Sequence, residues 1–155
     1  MKTSNPLETL IEESRKARDQ AGRTLAEERH GEQQAAAQLD ALERYKQEYS
    51  RQLQEALSRG VDAITLDNYR RFIGSLEDAI GRAGDNLQQH SQQVSVSQQH
   101  WRQQQKQLSS YNTLAGRRAT REQVRLARQE QRGNDELSNN AQARQRTRTA
   151  HPDTH

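Results

Sequence analysis

Apolar residues recur with helical spacing along the first sixty positions. Leu7, Ile11, Ala21, Leu25, Ala35, Leu39, Leu42, Tyr49, Leu53 and Ala56 are joined by Ser14, Arg18, Glu28, Glu32 and Lys46 into one line. The steps along that line alternate between four and three, the mark of a heptad with polar interruptions. The pattern predicts a long α-helix over about 6–58. Asn5-Pro6 suits its start, because proline is tolerated at the first helical position. The interruptions crowd the first half, which is expected to be the looser.

The run stops at "SRGVDAITLD". Gly60 fits the left-handed residue that closes a helix. Asp62 or Thr65 fits the cap of a second helix, with a turn over about 59–65. The second line is cleaner. Leu66, Tyr69, Ile73, Leu76, Ile80, Ala83, Leu87, His90, Val94, Ser97, Trp101, Gln104, Leu108, Tyr111 and Ala115 alternate three and four without a slip. So long a seven-residue repeat argues for a left-handed coiled coil. The period weakens after Ala115. Val124, Leu126 and Ala127 allow helix to about 135, and residues 138–155 are expected to form a disordered basic tail.

Two long helices joined by a short turn lie antiparallel. The fold class expected is therefore all-α: a single antiparallel coiled-coil hairpin over 1–137. The first helix would span roughly 75–80 Å, and the second would overhang it. A turn centred near Asp62 makes paired positions sum to about 124, placing Trp101 opposite Gly22, Arg23 and Thr24, next to Ala21. Gly74, Gly81 and Gly84 inside the second helix are either tolerated soft points or a hinge or place of close approach.

Composition narrows the class. Of 155 residues, 30% are hydrophobic, 29% charged and 4% aromatic, and mean hydropathy is -1.30. Such a chain cannot build a thick core, but a seam one residue wide is within reach. With no cysteine, disulfides and sulfur-ligated metals are excluded. No stretch approaches the ~20 apolar residues of a membrane span. The start, "MKTSNPLETLIEESRKARDQ", carries early acids and no apolar signal core. A cytoplasmic location is expected. The net charge of +3 is uneven, because residues 116–155 hold nine arginines against five acids.

Against that background, two tyrosines four apart in "QLDALERYKQEYSRQL" stand out. If Leu42 and Tyr49 are seam positions, Gln38 and Tyr45 flank the seam. On the second helix Leu76 and Ala83 are seam positions, flanked by Phe72 and Ala79. In an antiparallel pair these flanks meet on one side. Gln38, Tyr45, Phe72 and Ala79, edged by Leu42, Tyr49, Leu76 and Ala83, should share one face rimmed by Arg44, Lys46, Arg70 and Arg71. Either the rings widen the seam and lie flat over it, or they form a docking surface.

No catalytic constellation is visible. His90 sits in the seam, where a polar residue setting register is the simplest reading. His151 and His155 have a metal-compatible spacing but flank Pro152 without a helix signal, and no metal site is expected. "GRAGDNL" lacks the lysine of a phosphate-binding loop. The arginines of "RRATREQVRLARQEQR" could meet phosphates, but acids interleave and no aromatic stacks among them.

The residues quoted so far resemble the flagellar export protein FliJ family. "PLETL", "LDALERYKQEY", a glycine-containing turn, "YRRFIGSLEDAI" and a lone tryptophan in "HWRQQQKQL" occur in that family's order over roughly 6–118. Gly74, Gly81 and Gly84 depart from it. The resemblance implies an antiparallel coiled coil similar to the central stalk, or gamma subunit, of rotary ATPases. It implies no catalytic residues and no cofactor. It implies contact with the hexameric export ATPase of the FliI type at the open end, contact with the cytoplasmic domain of the export gate protein FlhA near the turn, and escort of export chaperones. Its site would be cytoplasmic, peripheral to the inner membrane. Carried onto this chain, the gate surface is Gln38, Leu42, Tyr45, Tyr49, Phe72, Leu76, Ala79 and Ala83, the stripe described above. The overhang and the basic excess make Leu7, Leu10, Ile11, Arg117, Arg118, Arg121, Val124, Arg125 and Leu126 the expected ATPase contacts. The equivalent stalk of a virulence secretion system, or a nucleic-acid-associated coiled coil, are the other functions considered.

Overall fold

The computed structural model describes residues 5–150. Two α-helices account for nearly all of them: α1, Pro6–Arg59, and α2, Ala63–Thr149. Asn5 caps α1, its Oδ1 accepting from the Leu7 N–H at 3.1 Å. Gly60, at φ +85°, closes it; its N–H donates to the Leu57 carbonyl at 3.3 Å. Of the two candidate caps for α2, Asp62 is the one used, its Oδ1 accepting from the Thr65 N–H at 3.2 Å. The hydrogen bond from Thr65 also holds the Asp62 carboxyl below its ordinary pKa. The turn is thus Gly60, Val61 and Asp62, shorter than the 59–65 expected.

The chain divides into two compact units. The first, Glu12–Leu108, is an antiparallel helical hairpin. Its register is read from cross-helix contacts. Arg18 reaches Gln105 at 3.4 Å, Lys46 pairs with Glu77 at 3.4 Å, and Gly22 faces Trp101; these pairs sum to 123. Gly31 faces His90 and Tyr49 meets Phe72; these sum to 121. The expected sum of about 124 is displaced because the turn pivots at Val61 rather than Asp62. Every seam slot predicted on either helix is buried or half-buried, the polar slots Ser14, Arg18, Glu28, Glu32 and Lys46 included.

The seam accommodates its two bulky rings by size matching. A Cβ at Gly22 would lie 3.4 Å from Trp101 Nε1, in ordinary contact. A Cβ at Gly31 would lie 3.1 Å from both Cε1 and Nδ1 of His90, tighter than a packed interior allows without movement. Gly74 has open space where its Cβ would be. Helix propensity alone favours alanine over glycine by about 1 kcal/mol. Gly74→Ala is therefore expected to stabilise the hairpin by about that amount, while Gly31→Ala gains nothing or destabilises it. Thermal melts of both variants check this: equal gains at both positions would mean that His90 does not fill the Gly31 notch.

The second unit comprises the start of the chain to Ile11 and the part of α2 from Ser109 onward. Leu7 is buried, and Ile11, Tyr111 and Ala115 are half-buried. From Gly116 to Ala150 every residue is exposed. α2 nevertheless continues to Thr149, past the end expected near 135, so residues 138–149 are helical where a disordered tail was expected. The segment is rich in Gln, Ala and Arg, which favour helix without packing. Thr147 and Thr149 hydroxyls donate back to the carbonyls of Ala143 and Gln145. His151, Pro152 and His155 lie outside the described residues.

Candidate docking surfaces

The turn-proximal flank of the hairpin carries the aromatic stripe. Tyr45 is 59% exposed and Phe72 43%. Gln38 is exposed as well, and Ala79 is half-buried. The edging residues belong to the seam: Leu42 and Tyr49 are half-buried, and Leu76 and Ala83 are only 8% exposed. The two helices are tied across this flank by Tyr49 and Phe72, whose ring centroids lie 4.3 Å apart at a tilt of 51°. That spacing and tilt suit the quadrupoles of two aromatic rings. Phe72 is thus half anchored and half presented, whereas Tyr45 stands clear. The opposite flank is different. Its groove is lined by Glu43, Lys46, Gln47, Ser50 and Gln54 with Ile80 below. The hairpin is aromatic on one side and polar on the other.

The expected basic rim is largely neutralised in place. Arg44 pairs with Asp40 at 3.0 Å, Arg71 with Asp67 at 3.0 Å, and Lys46 with Glu77. These are exposed pairs, worth little to stability. These pairs offset three of the four expected rim cations, Arg70 being the fourth. Pattern reading did not single out Leu57, Ile64 or Val96, which are exposed as well; Ile64, at 74%, sits in the first turn of α2 beside the hairpin loop. They occupy no seam slot, so the period carried no signal for them.

The second unit carries the other expected patch. Among its apolar members Leu10, Val124 and Leu126 are exposed, Ile11 is half-buried and Leu7 is buried. Leu7 therefore serves packing rather than presentation. Arg117, Arg118, Arg121 and Arg125 are all exposed. Arg121, Arg125, Arg128 and Arg132 line one open groove with Val124 and Thr120. Arg117 and Arg121 line the groove next to it. Arg125 donates to Glu122 at 2.6 Å. Hydrogen bonding and charge in that pair hold the Glu122 carboxyl below its ordinary pKa and raise that of Arg125.

Among the described residues no group of three His, Cys, Asp or Glu is placed to hold a metal. No described helix is long and apolar enough to cross a membrane. Within the hairpin, His90 Nδ1 is buried without a hydrogen-bond partner. What the surfaces offer is contact: one exposed aromatic flank and one arginine-lined helix face.

Comparison with known proteins identifies the family. The family described as flagellar FliJ protein matches residues 2–147. The flagellar FliJ protein of Escherichia coli (strain K12) is 34% identical over 138 residues, covering 89% of this chain and 94% of its own length. The flagellar FliJ protein of Salmonella typhi shows the same identity and coverage. A match over nearly the whole hairpin, with relatives of nearly the same span, means that this chain belongs to the flagellar FliJ protein family.

Proposed function

We propose that the chain is a non-enzymatic adaptor of the flagellar protein export apparatus, with two docking surfaces on different units. The aromatic flank of the Glu12–Leu108 hairpin receives the cytoplasmic domain of the export gate protein FlhA, and Tyr45 and Phe72 are its anchors. The arginine-bearing patch of the other unit engages the hexameric export ATPase and promotes its assembly and activity. It also escorts export chaperones. The adaptor works at the cytoplasmic face of the membrane-bound gate.

The observation that carries this reading is the one-sided exposure of Tyr45 and Phe72. Large rings cluster at the centres of protein interfaces, and exposing them to water without a partner is unfavourable. An ordinary coiled coil places charged or polar residues at such flanking positions. The chemistry of both patches is that of binding.

The experiment is to titrate the purified full-length chain into the cognate export ATPase, following hydrolysis rate and, by light scattering, oligomer size. Saturable stimulation accompanied by hexamer formation is expected. A flat response from a chain shown by circular dichroism to be helical would remove the ATPase from the proposal.

A further inference from the structure

We infer that the exposed helix 116–132 recognises a carboxylate-rich protein surface through a single line of guanidinium groups, Arg117, Arg121, Arg128 and Arg132. The inference rests on the assignment of this unit to the export ATPase and names the chemistry of that contact. The steps between the four arginines are four, seven and four, which keeps them on one face of a helix. They extend over roughly 22 Å at 1.5 Å per residue. The shared grooves place them together: Arg117 and Arg121 line one, and Arg121, Arg128 and Arg132 the next. All four are exposed, and within 116–132, where every residue is described, it is Arg125, beside the line, that is already ion-paired, to Glu122.

Charge complementarity selects the occupant. A guanidinium fork matches a carboxylate or a phosphate with two parallel hydrogen bonds. A polyphosphate partner would meet Glu122, Glu130, Asp135 and Glu136 along the same stretch, and no aromatic follows Tyr111 on which a base could stack. A bilayer would need a broad apolar face bordered by the cations. Beside this line the exposed apolar side chains are Val124 and, one turn before Arg117, Leu114, too few for such a face, while Leu126 lies far round the helix. A protein surface bearing spaced carboxylates fits both the cations and the interleaved acids, which can pair with basic residues of the partner. The helix also gains from being met. With every residue from Gly116 to Ala150 exposed, it lacks the packing from which helices in proteins draw most of their stability.

The test compares three full-length chains in the ATPase titration: wild type, a variant with Arg117, Arg121, Arg128 and Arg132 each changed to Gln, and a control with Arg144, Arg146 and Arg148 changed to Gln. Glutamine keeps helix propensity close to that of arginine. Loss of four exposed charge pairs is expected to raise the half-stimulating concentration about tenfold or more. It should also flatten the dependence of binding on NaCl, while the control stays within about twofold of wild type. An unchanged midpoint and salt dependence in the first variant, with wild type still stimulating, would overturn the arginine line and leave the ATPase assignment standing. Equal weakening in the control would assign the effect to net charge and also overturn it. Failure of wild type to bind the ATPase at all would overturn the assignment and this inference with it. Tighter binding of wild type to phosphatidylglycerol vesicles or a DNA duplex than to the ATPase would overturn the choice of a protein carboxylate surface.

Discussion

Replacing Tyr45 and Phe72 together by alanine is expected to weaken binding to the cytoplasmic domain of the export gate about 100-fold and to leave the hairpin folded. Paired aromatic anchors at the centre of an interface lose on the order of 2–4 kcal/mol when truncated, and 100-fold corresponds to about 2.7 kcal/mol. The cost to the fold is smaller. Tyr45 stands 59% exposed, and substitutions at such positions fall within about 0.5 kcal/mol. Phe72 gives up its 4.3 Å ring contact with Tyr49, worth about 1 kcal/mol beyond area burial, and the buried part of its ring, on the order of 1 kcal/mol more. Calorimetry against the purified gate domain, run beside thermal melts, separates the two quantities. Gate binding at wild-type strength, with a melting temperature lowered by ten degrees or more, would mean that the rings serve the seam and the docking surface lies elsewhere.

Much of this architecture was readable because a coiled coil writes its tertiary contacts into a one-dimensional period. A side chain at a three-four step can only face the partner helix, so the period puts Ser14, Arg18 and Glu32 in the seam despite their polarity, and there they are buried or half-buried. The register followed from the turn to within three positions. The residual error had a consequence. At the expected sum of 124 His90 would face Gln34; at the observed sum of 121 it faces Gly31, whose missing Cβ leaves room for the ring. That size match was invisible until the turn was known. The Trp101 pairing stands as expected, because a sum of 123 keeps Gly22 opposite the ring.

Helix that packs against nothing leaves no period. Residues 138–149 therefore carry no seam signal, although their composition supports α2 to Thr149. The stripe was legible as a set of positions but not as a surface. Helical spacing puts Leu76 and Tyr45 on neighbouring lines; only the packed structure separates a residue 8% exposed from one 59% exposed. The ion pairs that neutralise the rim were also outside pattern reading, since many candidate partners stand within reach of Arg44 and Arg71.

Leu76 is where these two readings part most sharply. It belongs to the expected gate-binding set, yet it is buried between Ile73 and Ile80 in the seam. Leu76→Asp is expected to unfold the turn-proximal hairpin. Removing a buried leucine costs on the order of 2–5 kcal/mol, and an unpaired carboxylate in its place adds several more. A seam one residue wide, interrupted by Ser14, Glu28 and Glu32, holds little stability in reserve; native domains in general are stable by only about 5–15 kcal/mol. Circular dichroism at 25 °C should show a marked loss of helix and of the cooperative melt, with gate binding lost as a consequence. The Tyr45 and Phe72 double variant should lose gate binding with its helix intact. If Leu76→Asp instead keeps wild-type helicity and melting while losing the gate, Leu76 is presented rather than packed, and the docking surface extends across the seam to the whole set from Gln38 to Ala83.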